Sequence, residues 1–301
     1  MKSLGLFIRL SRPIFLAGGI LMYALGTGLA HYLGATIVWD AFLLGQLWVI
    51  LIQLSVHYLN EYYDTEADQA NQNRTILTGG SGAIGPEKLS RRIALMAALT
   101  SMAILASITV LLISYINPGP ESLWIMVLAF LGAFFYSTPP VRLEATGYGE
   151  ILVTFMIAFM LPTFAFLLQT GEVHRLLAMT GFPLAALMMA MLLAFELPDY
   201  ANDLKFEKRT LMVRLGWQAG MSLHNILILT AFLILLLARL FGLPLFAMVA
   251  GLLPLPVGLF QVWQMRRIAN GQKPNWNALT IGALALFALT AYLQAYAFWI
   301  N

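Results

Sequence analysis

The chain has no cysteine and very little charge. Among its 301 residues there are four His, and Asp, Glu, Lys and Arg together make up only 10%. The missing cysteine excludes disulfides, thiolate nucleophiles and cysteine-ligated metals. The scarcity of charge excludes an ordinary water-soluble domain, in which about a quarter of residues are charged. With 60% hydrophobic residues and a mean hydropathy of +0.80, the composition is that of an integral membrane protein whose first partner is the lipid bilayer. No nucleic-acid partner is expected. The basic N-terminal stretch MKSLGLFIRLSRPIFLAGG has no small-residue cleavage site of the kind a signal peptide carries. It reads as a first span behind a basic anchor.

Apolar runs of bilayer-spanning length predict helices over 13–32, 40–60, 93–115, 121–138, 149–169, 176–197, 219–239, 243–264 and 277–299. The expected fold is therefore an all-α polytopic membrane protein of nine transmembrane helices, one membrane-embedded domain over 1–301. An odd number of spans puts the termini on opposite sides. Of the 17 Lys and Arg, 15 fall in 1–12, 61–92, 139–148, 198–218 and 265–276; only Arg175 and Arg239 lie in the other connections. Because short cytoplasmic loops are enriched in Lys and Arg, the first set is expected to face the cytoplasm. Most acidic residues share that side, so polar chemistry is concentrated at one face of the membrane. A transporter of anionic substrates would instead place its site near the bilayer midplane.

The two long loops of that face carry a hidden repeat. One reads DTEADQANQNRT from Asp64 to Thr75 and the other DYANDLKFEKRT from Asp199 to Thr210. Each places Asp, Asp, Arg and Thr at the same offsets, behind a long apolar span, which points to two pseudo-repeated halves. Asn60, Asp64 and Asp68 stack on one face if the helix continues through them, and so do Asp199 and Asp203. Unpartnered carboxylates at i, i+4 repel, and a cation between them reverses the sign. Oxygen-only donor sets suit hard cations, and Mg²⁺ commonly combines carboxylates with substrate phosphate oxygens and water. Two opposed carboxylate pairs therefore suggest Mg²⁺ bridged by a diphosphate. Arg74, Lys205, Lys208 and Arg209 stand nearby to meet the remaining phosphate oxygens.

With these residues in view, the pattern resembles the UbiA superfamily of membrane prenyltransferases. The resemblance extends to LSRPIFL (Leu10 to Leu16), YSTPPVRLEATGYGE (Tyr136 to Glu150) and DLKFEKRTLMVRLG (Asp203 to Gly216). It implies nine helices around a central cavity and Mg²⁺-dependent transfer of an isoprenoid chain from its diphosphate to an aromatic acceptor. Asn60, Asp64, Asp68, Asp199 and Asp203 become the metal-site candidates, the four aspartates catalytic candidates as well. Arg12, Arg74, Arg142, Lys205, Lys208 and Arg209 become candidates for diphosphate. Within the superfamily, LNEYYDTEAD, GGSGAI and KRTLMVRLG look most like the 1,4-dihydroxy-2-naphthoate polyprenyltransferases of menaquinone synthesis, enzymes of a prokaryotic plasma membrane. Prenylation of 4-hydroxybenzoate, or a membrane-embedded terpene cyclase with no acceptor, are the alternatives. Two positions depart from relatives: Glu207 stands where Gly is usual before KRT, and Glu144 where many have Lys.

Other residues admit two readings. His57 either packs or orients and deprotonates the acceptor. Arg12 either anchors the first span by snorkelling or touches substrate. The glycine-rich stretch 69–92 is either a lid or a linker. Glu196 lies a turn before Asp199, with Pro198 expected to interrupt the helix between them.

Overall fold

The computed structural model describes residues 2–301. Its helices, in chain order, are α1 (Lys2–Leu10), α2 (Pro13–Tyr32), α3 (Trp39–Tyr63), α4 (Thr65–Ala70), α5 (Arg91–Leu111), α6 (Pro120–Ser137), α7 (Gly149–Phe155), α8 (Leu161–Thr170), α9 (Arg175–Lys205), α10 (Leu211–Leu215), α11 (Trp217–Leu240), α12 (Leu245–Leu252), α13 (Leu255–Ala269) and α14 (Trp276–Ile300). Among the described residues nine helices or helix pairs are long and apolar enough to cross a membrane, and no strand is present. Three of these spans are composite, one of them being Arg91–Ile116, in which α5 is continued by a π-helical stretch, Leu112–Ile116. A π-helical stretch, Met156–Met160, joins α7 to α8 just ahead of Pro162, and Pro254 divides the eighth span into α12 and α13. Proline cannot donate the helical hydrogen bond, and local π or turn geometry absorbs the mismatch.

Packing relies on small residues where backbones approach closely, as helices in lipid require. A Cβ at Gly26 of α2 would run into the Pro162 carbonyl of α8. The α2 helix packs against α8 and α14, α3 against α5 and α6, and α9 against α11 and α14. Together these helices bury one large apolar core.

Two helix ends differ from expectation, and both differences shape the polar face. First, α3 stops at Tyr63 and Asp64 sits in a bend (φ −91°, ψ 2°) before α4. The hydrogen bonds Asp64 N to Asn60 O (2.8 Å) and Asp68 N to Asp64 O (2.9 Å) bridge the break, so the four-residue stagger survives the hinge. Second, α9 is not interrupted by Pro198. It runs 31 residues through both Pro183 and Pro198. The prolines each delete one backbone hydrogen bond, and both are buried by neighbouring elements, the circumstance in which membrane helices tolerate them. At 1.5 Å per residue α9 is about 46 Å long, against a hydrocarbon core of about 30 Å. It is therefore too long to lie wholly within that core, and its run of polar residues, from Asp199 to Lys205, is at its C-terminal end.

Candidate functional site

A cavity of about 360 Å³ opens between α3, α6, α7 and α9. On α3 and α4 every fourth residue faces it: Ile52, Val56, Asn60, Asp64 and Asp68. On α9 the facing residues pass from Met188 and Leu192 to Glu196, Asp199 and Asp203. Each wall thus changes from apolar to acidic in the same direction, and the two acidic motifs meet across one space. Among the predicted residues, Arg12, His57 and Lys208 also line it.

Asp64 is the hub. Its Oδ2 accepts from Asn60 Nδ2 (2.9 Å) and Lys208 Nζ (2.6 Å), and its Oδ1 from Arg142 Nη2 (3.2 Å). Lys208 reaches back because Glu207 adopts a left-handed backbone (φ 56°) that turns the chain after α9. That is a conformation glycine takes at no steric cost. Burial works against the Lys208 ammonium, but Asp64 and Glu144 together hold it above the usual lysine range. Asp68 has no such cation in contact. Burial, then the charge of Asp64, pushes its carboxyl up to about 7. On the opposite wall Asp199 accepts from Asn71 Nδ2 (2.7 Å) and Asp203 from Thr210 Oγ1 (3.4 Å).

The other predicted cations lie elsewhere. Lys205 and Arg209 are exposed and outside the cavity. Arg74 donates to the Gly80 carbonyl (3.0 Å) and faces a second cleft beside Arg9. Burial and Arg9 lower its pKa. Arg142 touches Asp64 from outside the lining. His57 donates through Nδ1 to the Ser11 carbonyl (3.1 Å) and its ring meets Phe15 edge-on.

Several carboxylates escaped the sequence reading. Glu144 is buried and accepts from Asn60 Nδ2 (2.5 Å) and Ser137 Oγ (2.8 Å). Burial and Asp64 raise it to about 7. Glu61 is 3% exposed and takes hydrogen bonds from Arg12 (Nε 3.0 Å, Nη2 2.5 Å), Ser81 N (2.5 Å) and Ser81 Oγ (2.6 Å). This carboxylate ties the glycine-rich loop over the cavity. There, Gly80 lies so close to Asp68 that any Cβ would strike its carboxylate, and Gly79 and Gly80 both line the site. The loop is folded as a cap, with Leu77 in the core. No signal in the sequence separates these glutamates from solvated ones, beyond their proximity to the motifs.

The residues present suit Mg²⁺. The donors at the cavity mouth are four carboxylates and one amide oxygen, all hard. Among the described residues no three His, Asp or Glu side chains form a cage by themselves. Mg²⁺ commonly takes only one or two carboxylates and completes its shell with water and substrate phosphate oxygens.

Comparison with known proteins identifies the family. Residues 20–284 match the UbiA prenyltransferase family, and the chain belongs to it. It is an integral-membrane prenyltransferase. Relatives include the 1,4-dihydroxy-2-naphthoate octaprenyltransferases of Bacillus subtilis (26% identical over 230 residues, 74% of this chain and 70% of the relative) and Mycobacterium tuberculosis (28% over 222 residues, 72% of each). Among solved structures, a UbiA homolog from Archaeoglobus fulgidus bound to DMAPP and Mg²⁺ shares the fold with a TM-score of 0.68 at 18% identity, over 98% of this chain and 99% of that one. A digeranylgeranylglyceryl phosphate synthase shares it with a TM-score of 0.63 at 14% identity, over 100% of this chain and 98% of that one.

Proposed function

We propose that the chain transfers a polyprenyl group from its diphosphate to 1,4-dihydroxy-2-naphthoate, with loss of the acceptor carboxylate as CO₂, at a Mg²⁺-dependent site on the cytoplasmic side of a prokaryotic plasma membrane. The observation that carries the reading is the pair of walls that turn acidic together at the mouth of an apolar cavity. Asn60, Asp64, Asp68, Asp199 and Asp203 would hold the metal. When bound, Mg²⁺ neutralises the diphosphate and makes it a better leaving group.

The chain's own residues do the rest. Lys208 and Arg12, cations on the cavity lining, meet phosphate oxygens that the carboxylates cannot. Met188, Leu192 and Phe195 on α9, with Val56 and Ile52 on α3, line a dry wall that keeps water from quenching an allylic cation. The cap over Asp68 closes the mouth during that interval. His57, beside Phe15, is placed to orient the acceptor ring. A dihydroxylated ring is nucleophilic enough to trap the cation, and departure of CO₂ restores aromaticity. The naphthoate acceptor is supported by the relatives from Bacillus and Mycobacterium, which carry that substrate in their names. Metal dependence is supported by the Archaeoglobus neighbour, which holds Mg²⁺ with DMAPP.

The test supplies membranes containing the protein with a polyprenyl diphosphate and Mg²⁺, and with each aromatic acid separately. A decarboxylated prenyl naphthalenediol, recovered as the demethylmenaquinone after oxidation, is expected by mass spectrometry. Prenylated 4-hydroxybenzoate with no naphthalene product would move the protein to the other acceptor branch. Prenyl hydrocarbon formed without acceptor would make it a cyclase.

A further inference from the structure

Besides Glu144, two carboxyl groups on the cavity wall are left unused by the diphosphate site. Glu150 lies in the first turn of α7 and Glu196 on α9, one turn before Asp199, and both line the cavity. Each gives one oxygen to the start of α10: Glu150 Oε1 accepts from Leu211 N (2.9 Å), and Glu196 Oε2 from Met212 N (2.9 Å). Anchoring α10 accounts for those two oxygens and no more. Glu150 is 5% exposed, and its Oε2 receives no N–H or O–H donor among the described residues. The two carboxyl groups hold adjacent backbone amides of one short helix, Leu211 N and Met212 N, and carboxyl groups brought side by side share a hydrogen bond only when one of them carries a proton. Glu196 is only half-buried on the same lining, and its oxygen left free by Met212 N is the group that a bound hydroxyl would satisfy.

We propose that the Glu150–Glu196 pair relays the proton of the acceptor's ring hydroxyl during prenyl transfer. The proposal deepens the naphthoate reading and rests on it. The other carboxyl and imidazole groups on the lining have partners or roles of their own. Asp64 is held by Lys208 and Arg142, Glu144 by Asn60, Ser137 and Arg142, the remaining aspartates belong to the diphosphate site, and His57 is tied to Ser11 through Nδ1; Tyr136, also on the lining, is a phenol that keeps its proton near neutral pH.

The chemistry asks for a group that both takes and returns a proton. The ring carbon bearing the carboxylate bonds to C1 of the prenyl chain, while the C1–O bond breaks and diphosphate leaves with its electron pair. The hydroxyl on the adjacent carbon passes its proton to the ionised member of the pair, and its carbon becomes a ketone. The ring carbon now belongs to a β-keto carboxylate. Loss of CO₂ breaks the carbon–carbon bond and returns that electron pair to the ketone oxygen, which takes the proton back. Nothing is oxidised or reduced, and the relay ends as it began.

The test uses Glu150→Gln and Glu196→Gln in the intact membrane protein, with polyprenyl diphosphate, Mg²⁺ and 1,4-dihydroxy-2-naphthoate. Two products are counted: prenylated naphthalenediol, and the prenyl alcohol formed by water when acceptor is omitted. Glutamine keeps an oxygen for the α10 amide but cannot take a proton. Transfer should fall at least about 10²-fold, the usual contribution of a positioned base, while acceptor-independent diphosphate release stays within threefold. Raising the pH toward about 10, where a phenolic hydroxyl ionises unaided, should restore transfer at least tenfold in the variants and not in the parent. Transfer within threefold of the parent would overturn the relay. So would equal loss of both products, because the pair would then only anchor α10. A parent that makes no naphthalenediol product removes the acceptor reading first, and the relay with it.

Discussion

Glu61 offers the sharpest test of how the cap is held. Its carboxylate is buried between two segments distant in sequence, accepting from Arg12 on one side and from Ser81 N and Oγ on the other. Arg12 is also held in a left-handed backbone (φ 49°, ψ 61°) ahead of Pro13, a conformation that costs of order 1–3 kcal/mol and persists only when surroundings enforce it. Glu61→Gln replaces one accepting oxygen by an NH₂ group that faces donors, and removes the nearest countercharge of the Arg12 guanidinium, leaving it the Asn60 Oδ1 bond (3.2 Å) and the more distant charges of Asp68 and Asp64. Breaking a buried ion pair from one side costs about 3–5 kcal/mol, which is roughly 10²- to 4 × 10³-fold in an opening equilibrium at 1.4 kcal/mol per decade. The cap should therefore open far more often. Trypsin has sites inside it at Arg74 and Lys88, and cleavage through transient opening follows the open population when reclosing is fast. Cleavage at these positions should accelerate by about two orders of magnitude in Glu61→Gln, with prenyl transfer falling in parallel. Cleavage at the parent's rate would refute the assignment of Glu61 as the tie, and with it the cap.

Asp203→Asn, or Asp64→Asn, should lower prenyl transfer by at least about 10³-fold with the thermal unfolding temperature changed by only a few degrees; transfer within tenfold of the parent would remove that residue from the site. Lys205→Gln and Arg209→Gln, at exposed positions outside the cavity, should leave transfer within threefold. Asp68 and Glu144 titrate near 7 when folded but near 4 when unfolded. Being raised, they contribute stability that is full below about pH 4 and is lost as pH rises through 7. Metal-free protein should therefore melt at lower temperature at pH 8 than at pH 5.5, and Mg²⁺, which binds the ionised form, should narrow that gap; a metal-free melting temperature that climbs with pH would contradict the shifts. Reporter fusions after residues 75 and 210 should report the same side of the membrane, the cytoplasmic one, and opposite sides would break the shared site.

Hydropathy located the spans well because each must match a bilayer, and the fifth, read as 149–169, is Gly149–Thr170 in the structure. It failed where helix length and bilayer thickness part. The sixth span was read as ending at 197, yet α9 continues to Lys205, because a run of polar residues ends the hydropathy signal without ending the helix. The four aspartates were legible because a four-residue spacing maps directly onto a helix face. The cations were not. Lys205, Lys208 and Arg209 lie within a few residues of one another, and only the left-handed turn at Glu207 decides that Lys208 alone reaches Asp64. Glu144 and Glu61 were illegible for a related reason: whether a glutamate is solvated or buried depends on which distant segment covers it, and here those are Ser137 and Ser81.

The question of why charge-poor helices end in carboxylates has an answer in the length of α9. An allylic cation needs a dry wall, whereas a diphosphate and its counter-ions need water for entry and release. One helix can serve both only if it is longer than the bilayer core. From Met188 to Asp199 α9 covers roughly 16 Å of cavity wall at 1.5 Å per residue, and its C-terminal end carries Asp199 and Asp203. The α3–α4 pair repeats this across the cavity, with Ile52 and Val56 below and Asp64 and Asp68 above. The hinge at Asp64 then lets α4 lean under the cap while keeping the four-residue stagger. Placing the carboxylates deeper would bury their charge at a cost of several kcal/mol each. Placing them further out would leave the reactive carbon in water. The position of the acidic motifs at the ends of these two helices satisfies both constraints at once, which is why the acids cluster where the apolar runs stop.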